Sequence, residues 1–167
     1  MITRIGLSAV ALVISIAPAA AQEYKAGALQ VENPWARATP NGAKVGGGYL
    51  TIKNDGAAPD KLVGASSPIA QKMELDEMSS ENGVMKMRAL PNGLQINPGQ
   101  TVILKPDGYH LMFVGLNKSL KQGDHVPVTL NFANAGTVNV EFVVQGMGAT
   151  QPGNTGMSNM PGMSGGH

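Results

Sequence analysis

The residues able to do chemistry are concentrated between Met73 and Met112, a stretch that holds Met73, Asp76, Met78, Met85, Met87, His110 and Met112. Residues two apart in an extended strand project to one face, so Asp76 with Met78, Met85 with Met87, and His110 with Met112 each form a same-side pair. Three such pairs make one site if their strands meet at one end of the fold. Thioether sulfur is soft and imidazole borderline, a donor set that suits Cu(I) and serves Mg²⁺, Ca²⁺ or Mn²⁺ poorly. A thioether has no proton to lose, so the site adds little negative charge. The same residues admit a plainer reading, in which Met73, Met85 and Met112 fill irregular gaps in a core.

Composition narrows the chemistry further. The chain has 167 residues and no cysteine, which removes disulfides, thiol nucleophiles and thiolate metal sites. Lys and Arg number 12 against 11 Asp and Glu, and without Arg4 the two signs balance. That near-neutrality argues against nucleic acid or an anionic membrane as the main partner. Only three histidines are present, with no Ser-His-Asp order, P-loop or dinucleotide fingerprint, so the expected protein is not an enzyme. His125 reads as a strand-start surface residue and Trp35 as a packing anchor.

The elements that must position these residues are short. Residues 1–21 carry an early Arg4, an apolar run from Ile5 to Ile16 and Ala19-Ala20-Ala21, the layout of a cleaved secretory signal. The apolar run is too short for a spanning helix, so no membrane span is expected after cleavage. Glu23 to Gln30 reads as a weakly structured lead. Thereafter apolar and β-branched segments alternate with Gly, Pro, Asn and Asp clusters, the pattern of an all-β domain over residues 22–146. The predicted strands are Val31 to Ala38, Gly48 to Lys53, Lys61 to Ala65, Gln71 to Met78, Val84 to Arg88, Leu94 to Ile96, Thr101 to Leu104, His110 to Leu116, Val126 to Phe132 and Val138 to Val144. Turn signals such as Asn82-Gly83, Pro91-Asn92-Gly93 and Asn97-Pro98-Gly99 separate them and favour a Greek-key β-sandwich. Residues 147–167 form a Gly-, Ser- and Met-rich tail in which Met157, Met160 and Met163 recur every three residues before the terminal His167.

These residues meet a family pattern. The stretch resembles the periplasmic copper chaperones called PCuAC, cupredoxin-like domains whose signature is a His, a Met about ten residues on, and a His-x-Met about twenty-one residues beyond. Here ten residues separate position 76 from Met87, and twenty-two separate Met87 from His110-Leu111-Met112. Gly83-Val84-Met85-Lys86-Met87-Arg88, Gly108-Tyr109-His110-Leu111-Met112 and Leu120-Lys121-Gln122-Gly123-Asp124 also look like the family. The likeness runs from about Trp35 to Val144. One position departs from it, since the first family His is Asp76 here. A carboxylate is a hard ligand and replaces imidazole poorly on Cu(I).

The resemblance implies a periplasmic, monomeric Cu(I)-binding metallochaperone that passes copper to the maturing centres of cytochrome c oxidase, through an oxidase subunit or a Sco-type assembly protein. The implied ligands are Met87, His110 and Met112, with Asp76 a poor fourth and Met78 or Met85 able to complete the shell. The tail residues Met157, Met160, Met163 and His167 form a second expected site, for Cu(I) or Cu(II). The alternative function is a periplasmic copper buffer with no dedicated acceptor.

Overall fold

The computed structural model describes residues 22–153. The leader at 1–21 and the tail residues Met157, Met160, Met163 and His167 lie outside the described residues. Eleven strands follow one another: β1 Glu23–Ala26, β2 Leu29–Arg37, β3 Val45–Asn54, β4 Asp60–Ser66, β5 Ala70–Glu81, β6 Val84–Ala89, β7 Leu94–Ile96, β8 Thr101–Leu104, β9 Tyr109–Leu116, β10 His125–Phe132 and β11 Gly136–Gln145. The expected all-β class holds, and the strands form a β-sandwich. The expected weak lead does not hold: Glu23–Ala26 pairs antiparallel with Leu29–Glu32 through a tight turn in which Gly27 takes a φ of 57°. Among the described residues no helix is long and apolar enough to cross a membrane.

The strands hydrogen-bond in the order β6-β5-β9-β3-β2-β11-β10-β4-β7, with β1 on β2 and β8 on β3. All pairings are antiparallel except β2 with β11. Alternation supplies the core: Leu75 of β5, Leu111 and Phe113 of β9, and Val126, Val128 and Leu130 of β10 are buried in one cluster. Phe113 meets Phe142 of β11 edge-on, ring centroids 6.1 Å apart, which joins the two layers.

Two irregularities decide which side chains reach the outer face of the β5-β9-β3-β2 layer. The first is a bulge in β2, where the register with β3 shifts between Glu32 and Trp35 and Asn33 adopts a φ of 49°. Proline inside a strand belongs at such a bulge, and Pro34 sits there. The extra residue inverts the alternation. Leu29 and Val31 enter the core before it, whereas Ala36 does so after it, and Trp35 is turned into a separate cluster with Tyr49 and Ala149.

The second is the run Gly46-Gly47-Gly48, from which the predicted strand at Gly48 to Lys53 left out its first residues. The strand in fact begins at Val45. A Cβ at Gly48 would lie 2.7 Å from the Phe142 ring and one at Gly46 3.1 Å from Leu120, while one at Gly47 would overlap the Tyr49 hydroxyl. Glycine within a strand marks close approach, and here all three sides are occupied.

Candidate metal centre

The strand neighbours β6, β5 and β9 bring the predicted pairs onto one surface. Met78 of β5 lies directly opposite Met87 of β6, and Asp76 of β5 lies opposite His110 of β9. Met112, two residues along β9, stands opposite Glu74 on one side and Gly47 on the other. The two-residue turn at Asn82 and Gly83, both at positive φ, fixes the β5–β6 register and so the Met78–Met87 alignment.

Met78, Met87, His110 and Met112 line one cavity of about 310 Å³, walled otherwise by Arg37, Tyr49, Pro40 and Pro106 together with the backbone of Gly46 and Gly47. A larger recess of about 520 Å³ lies beyond the Thr39–Lys44 loop. It is lined by Lys44, Lys118, Lys121 and Asp124 and holds neither Met nor His, so donor chemistry rather than size selects the site. Among the described residues no three His, Cys, Asp or Glu side chains come together, which leaves the soft donors as the feature that distinguishes the first cavity.

His110 is nearly sealed, at 3% exposure, although it points away from the core that receives its neighbour Leu111. Its Nδ1 lies 3.1 Å from the Gly108 carbonyl oxygen. A carbonyl can only accept, so in the neutral ring Nδ1 carries the hydrogen and donates it to Gly108, leaving the Nε2 lone pair available for a metal. The residue type alone did not decide between the two nitrogens.

The other four candidates, Asp76, Met85, Met73 and His125, lie off the cavity wall. Asp76 is buried beside His110 but is not on the cavity wall. Burial pushes its carboxyl above the usual carboxylate range, opposed by His110, with Glu74 adding to the rise and Lys72 offsetting it. Met85 stands opposite Ser80, one strand repeat nearer the hairpin tip, 52% exposed and outside the cavity. Of the three methionines that could have been core filler, Met73 alone packs against the core. His125 is exposed at the start of β10, 2.5 Å from Glu141, and plays no part in the site.

Sequence reasoning missed Tyr49 and Arg37 as wall residues. Tyr49 stacks on Trp35 with centroids 4.5 Å apart, and the Arg37 guanidinium lies 6.0 Å from its ring centroid. Arg37 Nε also donates to the Ala149 carbonyl at 2.9 Å, so the first residues of the predicted tail lie against this cluster. Burial pushes the Tyr49 hydroxyl up, Arg37 opposes it and Asp107 adds to it, which keeps the phenol neutral at physiological pH. The available signals were the glycine run before Tyr49 and the proline before Trp35, each a mark of irregular strand geometry.

A family model described as "Putative lipoprotein LpqE-like" matches residues 29–144, the span from β2 to β11. The chain belongs to the LpqE-like family. A curated relative of this LpqE-like chain, "Putative lipoprotein Lxx21020" of Leifsonia xyli subsp. xyli, is 34% identical over 130 residues, 77% of each protein. The 167 residues themselves contain no cysteine. Among solved structures, the LpqE-like domain is similar to the copper-bound PCuAC domain from PmoF2, with a TM-score of 0.62 and 25% identity over 74% of this chain and 97% of that one. It is also similar to CuI-DR1885 from Deinococcus radiodurans, with a TM-score of 0.56 and 31% identity over 74% of this chain and 80% of that one. The LpqE-like chain thus contains a PCuAC-related, cupredoxin-like domain.

Proposed function

We propose that this protein is a periplasmic Cu(I) metallochaperone, secreted through its 1–21 leader and acting as a monomer, which supplies copper for cytochrome c oxidase assembly. The observation that carries the reading is the convergence of Met78, Met87, His110 and Met112 on one open cavity. Copper-bound relatives of the same domain type add support. Copper here is cargo, held by three neutral thioethers and the Nε2 of a neutral imidazole. Neutral donors leave the positive charge of Cu(I) uncompensated, which favours a metal that exchanges over one that stays. No covalent chemistry is required of the protein.

In this reading Asp76 stands where the family signature has its first His, and the loss of that imidazole weakens retention. Met78, opposite Met87, completes the shell instead. The tail residues Met157, Met160, Met163 and His167 form a second, capturing site, for Cu(I) or Cu(II), that raises the local copper concentration beside the cavity. Acceptors are an oxidase subunit or a Sco-type protein.

Cu(I) titration of residues 22–167 against a competing chelator, with X-ray absorption on the loaded protein, tests the site. Sulfur must appear in the first shell, and a shell of nitrogen and oxygen alone overturns it. Deletion of residues 156–167 is expected to lower the copper bound per chain, and unchanged stoichiometry removes the tail from the account. Loss of oxidase activity in a deletion strain at low copper, restored by added copper, identifies delivery, whereas copper sensitivity alone identifies a buffer.

A further inference from the structure

The β5–β6 hairpin separates its side chains by chemistry in a way that the cavity alone does not require. On one face Arg88 pairs with Glu77 at 2.6 Å and Lys86 with Glu81 at 2.6 Å, clamping the two strands from behind. The other face carries Ala89, Met87 and Met85 from β6, opposite Asp76, Met78 and Ser80 of β5, and beyond Asp76 it has no charged group. β6 is an edge strand whose six residues are all exposed, with Met87 at 57% and Met85 at 52%. Packing therefore gives no reason for a thioether at either position. Met87 lines the cavity, and Met85 lies one strand repeat outside it, about 7 Å along the chain. Two side chains with three rotatable bonds each can span that step.

We propose that Met85 is a hand-off ligand: with Met87 it forms a thioether ladder that carries Cu(I) from the cavity to the exposed hairpin tip, where a partner takes it. The inference rests on the Cu(I) reading above and goes beyond it by assigning an exit. The step is a ligand exchange at constant oxidation state. A dative bond forms from Met85 Sδ to Cu(I) while the bonds from His110 Nε2 and Met112 Sδ on β9 break, each freed electron pair stays on its donor, and Met78 and Met87 of the hairpin remain bound. Because every group involved is neutral, no proton moves.

The test uses full-length protein carrying Met85→Leu, loaded with one Cu(I) and mixed with a strong Cu(I) chelator either free or coupled to dextran. The bulky form reaches the hairpin tip and not the cavity floor. The expected result is a Cu(I) Kd within twofold of the parent, an unchanged count of sulfur neighbours, and at least tenfold slower transfer to the dextran-coupled chelator. Transfer to the free chelator stays within threefold, and Met85→His, which restores a Cu(I) donor, recovers the lost rate. A Kd weakened more than tenfold makes Met85 a resident ligand and overturns the proposal. Unchanged transfer to the coupled chelator overturns it equally. Failure of the parent protein to take up Cu(I) is seen in the titration itself, and removes the underlying reading together with the exit.

Discussion

Asp76 and His110 stand directly opposite each other across β5 and β9, at 4% and 3% exposure. An imidazole in place of the carboxylate therefore enters the row that already ends in His110. Asp76→His is expected to lower the Cu(I) Kd at least tenfold, about 1.4 kcal/mol, by adding a second borderline nitrogen donor. Competition against a chelator reads this directly, and an unaltered Kd shows that position 76 does not reach the metal.

Met87 and Met112 contribute sulfur from two different strands to one cavity. Met→Leu nearly conserves volume, so each exchange is expected to cost under about 1.5 kcal/mol of stability. Cu(I) affinity should nevertheless fall at least tenfold for Met87→Leu and for Met112→Leu, with one fewer sulfur in the absorption spectrum. A variant that keeps both its affinity and its sulfur count excludes that methionine from the shell.

Gly47 faces Met112 across β3 and β9, and the Tyr49 hydroxyl occupies the space that a Cβ would need. Gly47→Ala is expected to displace Tyr49 from its stack on Trp35 and to cost about 1–3 kcal/mol, the range for overpacking. The single tryptophan of the chain makes the change visible in fluorescence. Unfolding curves and emission identical to the parent would show that the ring moves aside freely.

Asp60 anchors the far end of the sandwich, its carboxylate accepting from the backbone N–H groups of Lys61, Asn134 and Ala135 at 2.7, 2.9 and 2.8 Å. Burial pushes its carboxyl up, but the three donors outweigh that effect and hold it below the ordinary value. A lowered folded value stabilises the fold above the unfolded value near about 3.9, and that stability is lost as pH falls through the folded value. Asp60→Asn is expected to cost roughly 1–3 kcal/mol at pH 7. In denaturant unfolding the difference should shrink below about pH 4, and a penalty constant from pH 7 to pH 2 contradicts the assignment.

The amino-acid sequence by itself determined the all-β class and most strand positions, because alternation and Asn-Gly or Pro-Asn-Gly turns are local signals. Leu94–Ile96 and Thr101–Leu104 have the limits that their residues predict. It also determined the donor chemistry, since with no cysteine and three histidines the thioethers are the soft ligands available. Only the tertiary structure decided which donors meet. Met78 and Met85 are equivalent in sequence terms, yet the β5–β6 register puts Met78 on the cavity and leaves Met85 one repeat outside. Likewise the bulge at Asn33 turned Trp35 and Arg37 toward the site, and the close approach of Leu120, Tyr49 and Phe142 kept the three glycines in a strand. Register, bulge parity and close packing are relations between segments distant along the chain, so no local pattern encodes them.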